Sequence, residues 1–229
     1  MAVIDALKSA SLRLIGRKPD AFYGSTETFQ MELADWANEV ATDVAKYQDW
    51  QALTTVAELA GDGVTSLFDL PSDYDRQLQY SEVQGDTAWA WGYQGYTDLN
   101  AFLFDQSRGF NGYPGGWIIY GGKLRFAPAP TSAAMYPYAT KNYAQAADGT
   151  PKPAFTADDD VFVLPERLLT LGLVWRWREN KKLDASGDQE AFIKALDEYA
   201  AKDKGSRVHR SSARRSYPGT HVAWPWELG

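Results

Sequence analysis

Residues Leu164–Asp184 read "LPERLLTLGLVWRWRENKKLD", and what must surround this stretch decides the fold. Its pattern predicts a helix over about 165–183. Pro165 suits a first turn, where its missing N–H is not needed. Glu166 suits the positive end of the helix dipole, and Lys181 and Lys182 the negative end. Leu168, Leu171 and Val174 fall on one side, and Leu169, Leu173 and Trp177 on another. An apolar surface this wide must be covered from more than one direction. Arg176 and Arg178 then need acidic partners or solvent, because an unpaired buried charge is too costly. A membrane is not the cover: no run in the chain approaches the roughly 18 apolar residues of a span.

Working outward, "SGDQEAFIKALDEYAAKDKG" predicts a following helix over about 187–203, with Ala191, Phe192, Ala195, Leu196, Tyr199 and Ala200 on its apolar face. Towards the N-terminus, "STETFQMELADWANEVATDVAKYQDW" predicts a long helix over about 26–48. Phe29, Leu33, Trp36, Val40, Val44 and Tyr47 recur there at three- and four-residue spacing. Ser25 with Thr28, or Thr26 with Phe29, are its candidate starts. "VIDALKSASLRLIG" predicts a first helix over about 2–16, stopped at Gly16. Between these two helical ends, about 52–157 reads as β-rich and full of turns. Gly61-Asp62-Gly63 signals a hairpin between two β-prone runs. "GGWIIYGGKLRFAPAP" reads as two strands joined by Gly121-Gly122, and "MYPYATKNYA" as a further strand. "TDLNAFLFDQS" reads as a short helix capped by Thr97. The expected fold class is α+β: a four-helix bundle with a β-rich insertion between the second and third long helices. One domain would occupy 1–205 and an extended C-terminal tail 206–229.

Composition and charge narrow the function classes. The 229-residue chain is 45% hydrophobic and 23% charged, ordinary for a protein that builds a core. It has no cysteine, so disulfides and thiolate zinc sites are excluded, and assembly in a reducing compartment fits. Met1–Arg17 lacks the continuous apolar run and small-residue cleavage site of a secretory signal. The net charge of −7 is unevenly spread. Lys204–Gly229 holds Lys204, Arg207, Arg210, Arg214 and Arg215 against Glu227, which leaves 18 basic and 29 acidic residues, net −11, in the rest.

The chemistry-bearing residues are sparse. The two histidines, His209 and His221, both lie in the tail, outside any rigid core that a Ser-His-Asp triad or a histidine metal site needs. "GGWIIYGGK" has the wrong spacing for a phosphate loop: Trp117 stands where the first glycine belongs, and Leu124 replaces the magnesium-binding Ser or Thr. "ADDDVF" (157–162) lacks the oxygen ligands of a calcium loop at their set spacing. It suits the start of the helix that follows. Nothing selects a carboxylate pair for glycoside hydrolysis. No catalytic residue, cofactor or metal is expected. "WAWGYQGY" places Trp89, Trp91, Tyr93 and Tyr96 together. They suit a small β core or an interface, and they also support an alternative reading as a carbohydrate- or cell-wall-binding module.

Four of these stretches together resemble the head-to-tail adaptor (tail accessory or head-completion connector) proteins of tailed bacteriophages. "IDALKSASLRLIGRKP" is similar to that family's first helix, and "TFQMELADWANEVATDVAKYQDWQAL" to its long second helix. "GGWIIYGGKLRFAPAP" is similar to its insertion motif. "DDDVFVLPERLLTLGLVWRWRENKKLD" with "DQEAFIKALDEY" is similar to its third and fourth helices. The resemblance covers about residues 1–205. It implies a structural virion protein and not an enzyme, assembled in the host bacterial cytoplasm. It also implies a homo-oligomeric ring, usually of twelve copies, between the portal and a tail or nozzle protein, with viral DNA passing through the lumen without sequence-specific binding. A C-terminal extension docks on the portal in that picture. Here the extension carries Arg207, Arg210, Arg214, Arg215 and Tyr217, with Trp224 and Trp226 as rigid anchors of the kind that dominate interfaces. The second cover for the 165–183 helix is either its own chain, which makes it a central helix of the bundle, or in a ring a neighbouring subunit, which makes Leu169, Leu173 and Trp177 candidates for the subunit interface.

Overall fold

The computed structural model describes residues 2–79, 81–85, 93–109 and 115–203. They form an α+β protein with five α-helices and several small sheets. By contacts the described residues divide into two compact units, 2–54 with 139–203, and 55–138.

The first unit holds four helices: α1 (Val3–Ile15), α2 (Thr28–Tyr47), α4 (Glu166–Asn180) and α5 (Ser186–Asp203). Between α2 and α4 the chain also forms α3 (Leu99–Arg108), which belongs to the second unit. α1 ends as expected: Gly16 takes a left-handed conformation (φ 72°), and its N–H closes on the Leu12 carbonyl. α2 starts later than its candidate caps suggested. Glu27 precedes it without a side-chain cap, and Ser25 instead accepts a hydrogen bond from the Glu27 N–H.

α4 packs against α1, α2 and α5. Leu168, Leu169 and Leu173 are fully buried, and Val174 nearly so. The close approach is possible at Gly172, where a Cβ would stand 2.4 Å from Val40 Cγ1 and 3.1 Å from Phe192 Cε2. The wide apolar surface of α4 is therefore covered by its own chain. The unit also contains a three-stranded antiparallel sheet of β9 (Ala144–Gln145), β10 (Pro151–Lys152) and β11 (Val161–Phe162), with β9 in the middle. Tyr143, Ala144, Phe155 and Phe162 join the helical core, so much of 139–157, expected within the insertion, packs with the helices instead.

The second unit is β-rich. One sheet places β8 (Ala134–Thr140) against β1 (Thr54–Leu59), β3 (Tyr74–Gln77) and β4 (Gln84–Gly85). The other has the order β2 (Leu67–Asp69), β7 (Lys123–Ala127), β6 (Gly116–Tyr120), β5 (Gln94–Gly95). The expected Gly121-Gly122 hairpin is present. Tyr120 pairs with Lys123, and both glycines have positive φ (59° and 74°), as a two-residue turn with the strands' own twist requires. β6 is apolar on both faces because both are covered. Trp117 and Ile119 pack with Leu124, Phe126 and Tyr136, while Ile118 and Tyr120 pack with Phe102 of α3.

The hairpin expected at Gly61-Asp62-Gly63 does not form: β1 and β2 belong to different sheets. Asp62 folds the segment on itself, accepting hydrogen bonds from the Val64 and Thr65 N–H groups and from the Thr65 hydroxyl. These bonds hold its carboxyl down to about 2. Gly63 N–H donates to the Pro130 carbonyl, and Gly61 lies so close to the Ser132 backbone that no side chain fits. Tertiary contact thus carries the chain away from β1 and towards β7. α3 is capped by Asp98 rather than Thr97, its carboxylate accepting from the Asn100 and Ala101 N–H groups.

Candidate assembly surfaces

The charged end of α4 finds the partners its sequence demanded. Arg176 lies across the Trp175 ring (4.6 Å) and donates to Asp43 of α2 at 2.6 Å, with Glu39 at 3.9 Å and Glu179 at 3.8 Å. Arg178 pairs with Asp188 of α5 at 2.5 Å, and Lys181 with Glu32 of α2 at 2.8 Å. α4 is thereby tied to α2 and α5 by packing along its length and by charge at its C-terminal end.

Of the three subunit-interface candidates, Leu169 and Leu173 have no exposed surface. They are core residues here, because α1, α2 and α5 of the same chain supply their cover. Trp177 is half-buried; its ring meets Phe29 edge-on at 6.0 Å, with the Lys181 ammonium 5.8 Å above it. Arg207, Arg210, Arg214, Arg215, Tyr217, Trp224 and Trp226 lie outside the described residues, as do His209, His221, Trp89 and Trp91. Tyr93, a stacking residue only in the alternative carbohydrate reading, is buried in the β core and packs edge-on against Phe126 at 5.1 Å. Tyr96 donates to Asp105 and packs on Phe102.

The acidic run 158–160 does a different job from the one its position before α4 suggested. Its backbone and side chains secure the start of α1 and the segment after it. The carbonyls of Asp160 and Asp158 accept from the Val3 and Ile4 N–H groups, two of the donors that a helix start leaves open. The Asp158 carboxylate accepts from the Phe22 and Tyr23 N–H groups at 3.1 Å. Asp160 is 1% exposed and accepts from Thr156 N–H (2.6 Å), Ala157 N–H (3.0 Å) and the Lys152 ammonium (2.7 Å). Burial alone would raise its pKa, but the Lys152 ammonium and the two N–H groups hold it below the usual carboxylate range. Among the described residues no group of three or more His, Cys, Asp or Glu is arranged to hold a metal ion. No helix among them is long and apolar enough to cross a membrane.

Two surfaces escaped the sequence reading. Ser9, Arg13, Glu166, Arg167 and Thr170 line a groove between α1 and α4. On α5, Ser186, Gln189, Glu190, Ile193, Lys194 and Asp197 form an outward stripe at helical spacing. The first had a visible signal: Arg13, Arg17 and Lys18 crowd the end of α1 in an otherwise acidic body. The second had none, since a polar helix face is the ordinary solvent-facing pattern.

Among the described residues, buried polar groups clamp the protein's own loops, and the outward features are helix faces. A family model described as SU10 adaptor protein matches residues 1–220, and the chain belongs to that family of bacteriophage head-to-tail adaptors. It is thus a phage adaptor and a virion component whose role lies in contacts with other head and tail proteins. The match reaches beyond residue 205, taking in Arg207, Arg210, Arg214, Arg215 and Tyr217 and stopping short of Trp224 and Trp226. No curated protein matches the chain.

Proposed function

We propose that the protein is the connector ring between portal and tail. Copies, twelve in the commonest arrangement, form a collar beneath the portal, meet a tail or nozzle protein on the other side, and leave a lumen for viral DNA. The four long helices act as one bundle that forms the body of each subunit. The observation that carries this reading is the adaptor-family match over nearly the whole chain. The acidic body supports it: a negatively charged lumen repels DNA phosphates and lets the duplex slide rather than stick. So does the basic C-terminal segment, since opposite charge on body and tail steers docking and fixes register. The role is structural and not enzymatic.

In this reading 206–229 is the portal-docking element. Arg207, Arg210, Arg214 and Arg215 pair with acidic groups of the portal, and Tyr217, Trp224 and Trp226 fill apolar recesses. Pro218 and Pro225 favour an extended path along a groove. The test is to mix the purified protein with its portal and image the product, using the full chain and a chain lacking 206–229. The full chain should give a ring on the portal. The shortened chain should keep its helical signal and thermal transition yet lose portal binding. Undiminished binding by the shortened chain refutes the assignment of the tail, and a folded full chain that never forms a ring refutes the function.

A further inference from the structure

We propose that two surfaces on different flanks of α4 dock copies of this chain head to tail, the basic tip of α1 on one copy meeting the outer face of α5 on the next. This rests on the ring reading above and adds which residues meet. The first surface is the groove lined by Ser9, Arg13, Glu166, Arg167 and Thr170. Arg13 and Arg167 are exposed at it and make no ion pair with any described residue; neither do Arg17 and Lys18 just beyond the end of α1. Next to Arg13 in the chain, Leu12 is 47% exposed on the solvent side of α1. This is a cationic patch on an acidic body.

The second surface is its chemical complement. The outward stripe of α5 lies opposite the face that buries Phe192, Ala195 and Leu196. It presents Ile193, 46% exposed, among Glu190, Asp197 and the neighbouring Glu198, with Lys194 the single cation of the stripe. Tyr47 of α2, 46% exposed, extends it and donates to Asp197 at 2.5 Å. Leu12 supplies apolar cover for Ile193 and Tyr47. Arg13, Arg17 and Arg167 supply what Glu190 and Glu198 need paired.

One copy cannot join its own two surfaces. α1 and α5 each pack against α4 rather than against one another. A two-fold dimer through either surface alone would set cations on cations or acids on acids, whereas a contact between the two unlike surfaces pairs them. The contact that the ring reading calls for is heterologous, the kind that closes into a ring when the rotation permits. The charges are exposed, so they set register and encounter rate and are weakened by salt.

The test uses two charge-reversed variants of the full chain, Arg13→Glu/Arg167→Glu and Glu190→Lys/Glu198→Lys. All four side chains are exposed, so both proteins should keep the wild-type thermal transition. Assembly on the portal is followed by native mass spectrometry and electron microscopy. Each variant alone repels its own kind and should need at least about tenfold more protein to assemble. A one-to-one mixture carries complementary surfaces at every contact and should assemble as the wild type does, which a misfolded variant cannot achieve. The pairing is overturned if either variant assembles normally alone, if the mixture fails to recover, or if rings persist while only portal attachment is lost. A wild type that assembles beside unaffected variants removes this pairing and leaves the ring reading intact. A wild type that never assembles removes both.

Discussion

Asn38 of α2 grips Phe155 at both backbone atoms. Its Nδ2 donates to the Phe155 carbonyl at 3.1 Å, and its Oδ1 accepts from the Phe155 N–H at 2.7 Å. One side chain thereby does for Phe155 what a neighbouring β-strand would do. The Tyr143 hydroxyl closes the group, donating to Asn38 at 3.3 Å, while the Tyr143 and Phe155 rings pack edge-on at 5.6 Å. Removing the amide leaves two backbone groups partly buried and unpaired, each costing about 1–3 kcal/mol. Asn38→Ala should therefore lose about 2–3 kcal/mol in a denaturant titration, with faster amide exchange at Phe155. Asn38→Asp keeps the acceptor but sets a carboxylate against a carbonyl, and should lose more than half as much. A loss below about 0.5 kcal/mol in both variants would show that the grip is incidental.

Gly172 decides how close α2, α4 and α5 come. Replacing a helical glycine by alanine ordinarily stabilises by up to about 1 kcal/mol. Here the added methyl carbon meets Val40 Cγ1 at 2.4 Å and the Phe192 ring at 3.1 Å. Forced overpacking costs about 1–3 kcal/mol, so Gly172→Ala should destabilise despite its better helix propensity. Gly187, with nothing within 4 Å of its Cβ position, should tolerate alanine with little change. Trimming the neighbour supplies the second check. Val40→Ala should cost less in the Gly172→Ala background than in the wild type, because the vacated space accepts the new methyl.

Acid should loosen the start of α1. The folded pKa of Asp160 is depressed, so its contribution is fully present above the unfolded value of about 4 and is lost as pH falls through the lower folded value. Wild-type stability should therefore drop as the pH falls below about 4. Asp160→Ala should be destabilised by about 3 kcal/mol at neutral pH, because Lys152 and two N–H groups lose their acceptor. Its stability should also fall less over that acid range than the wild type's. Amide exchange at Val3 and Ile4, whose N–H groups bond to this segment, reads the change directly. An Asp160→Ala protein with the same acid slope as the wild type would place the titrating group elsewhere.

The sequence by itself determined the elements whose cause is local. Periodicity marked α1, α2 and α5, and the residues at its two ends marked α4. Gly16 and the Gly121-Gly122 pair mark turns because only glycine takes positive φ there without strain. The width of the apolar surface on Leu164–Asp184 established that this helix is enclosed, and the residue types at its charged end that acids stand nearby. The ordered motif series pointed to the adaptor family. What only the tertiary structure decided is which partner meets which. Leu169 and Leu173 are equally apolar whether a neighbour or the same chain covers them, and α1, α2 and α5 supply that cover. Gly61-Asp62-Gly63 has the chemistry of a hairpin, but the Ser132 and Pro130 backbones occupy its other side and send β2 to another sheet. The acids at 158 and 160 read as partners for the start of the next helix, yet their carboxylates hold loop N–H groups and Lys152, and it is their carbonyls that meet a helix start more than 150 residues earlier. Local chemistry states what a residue needs; the packing of distant segments decides what meets the need.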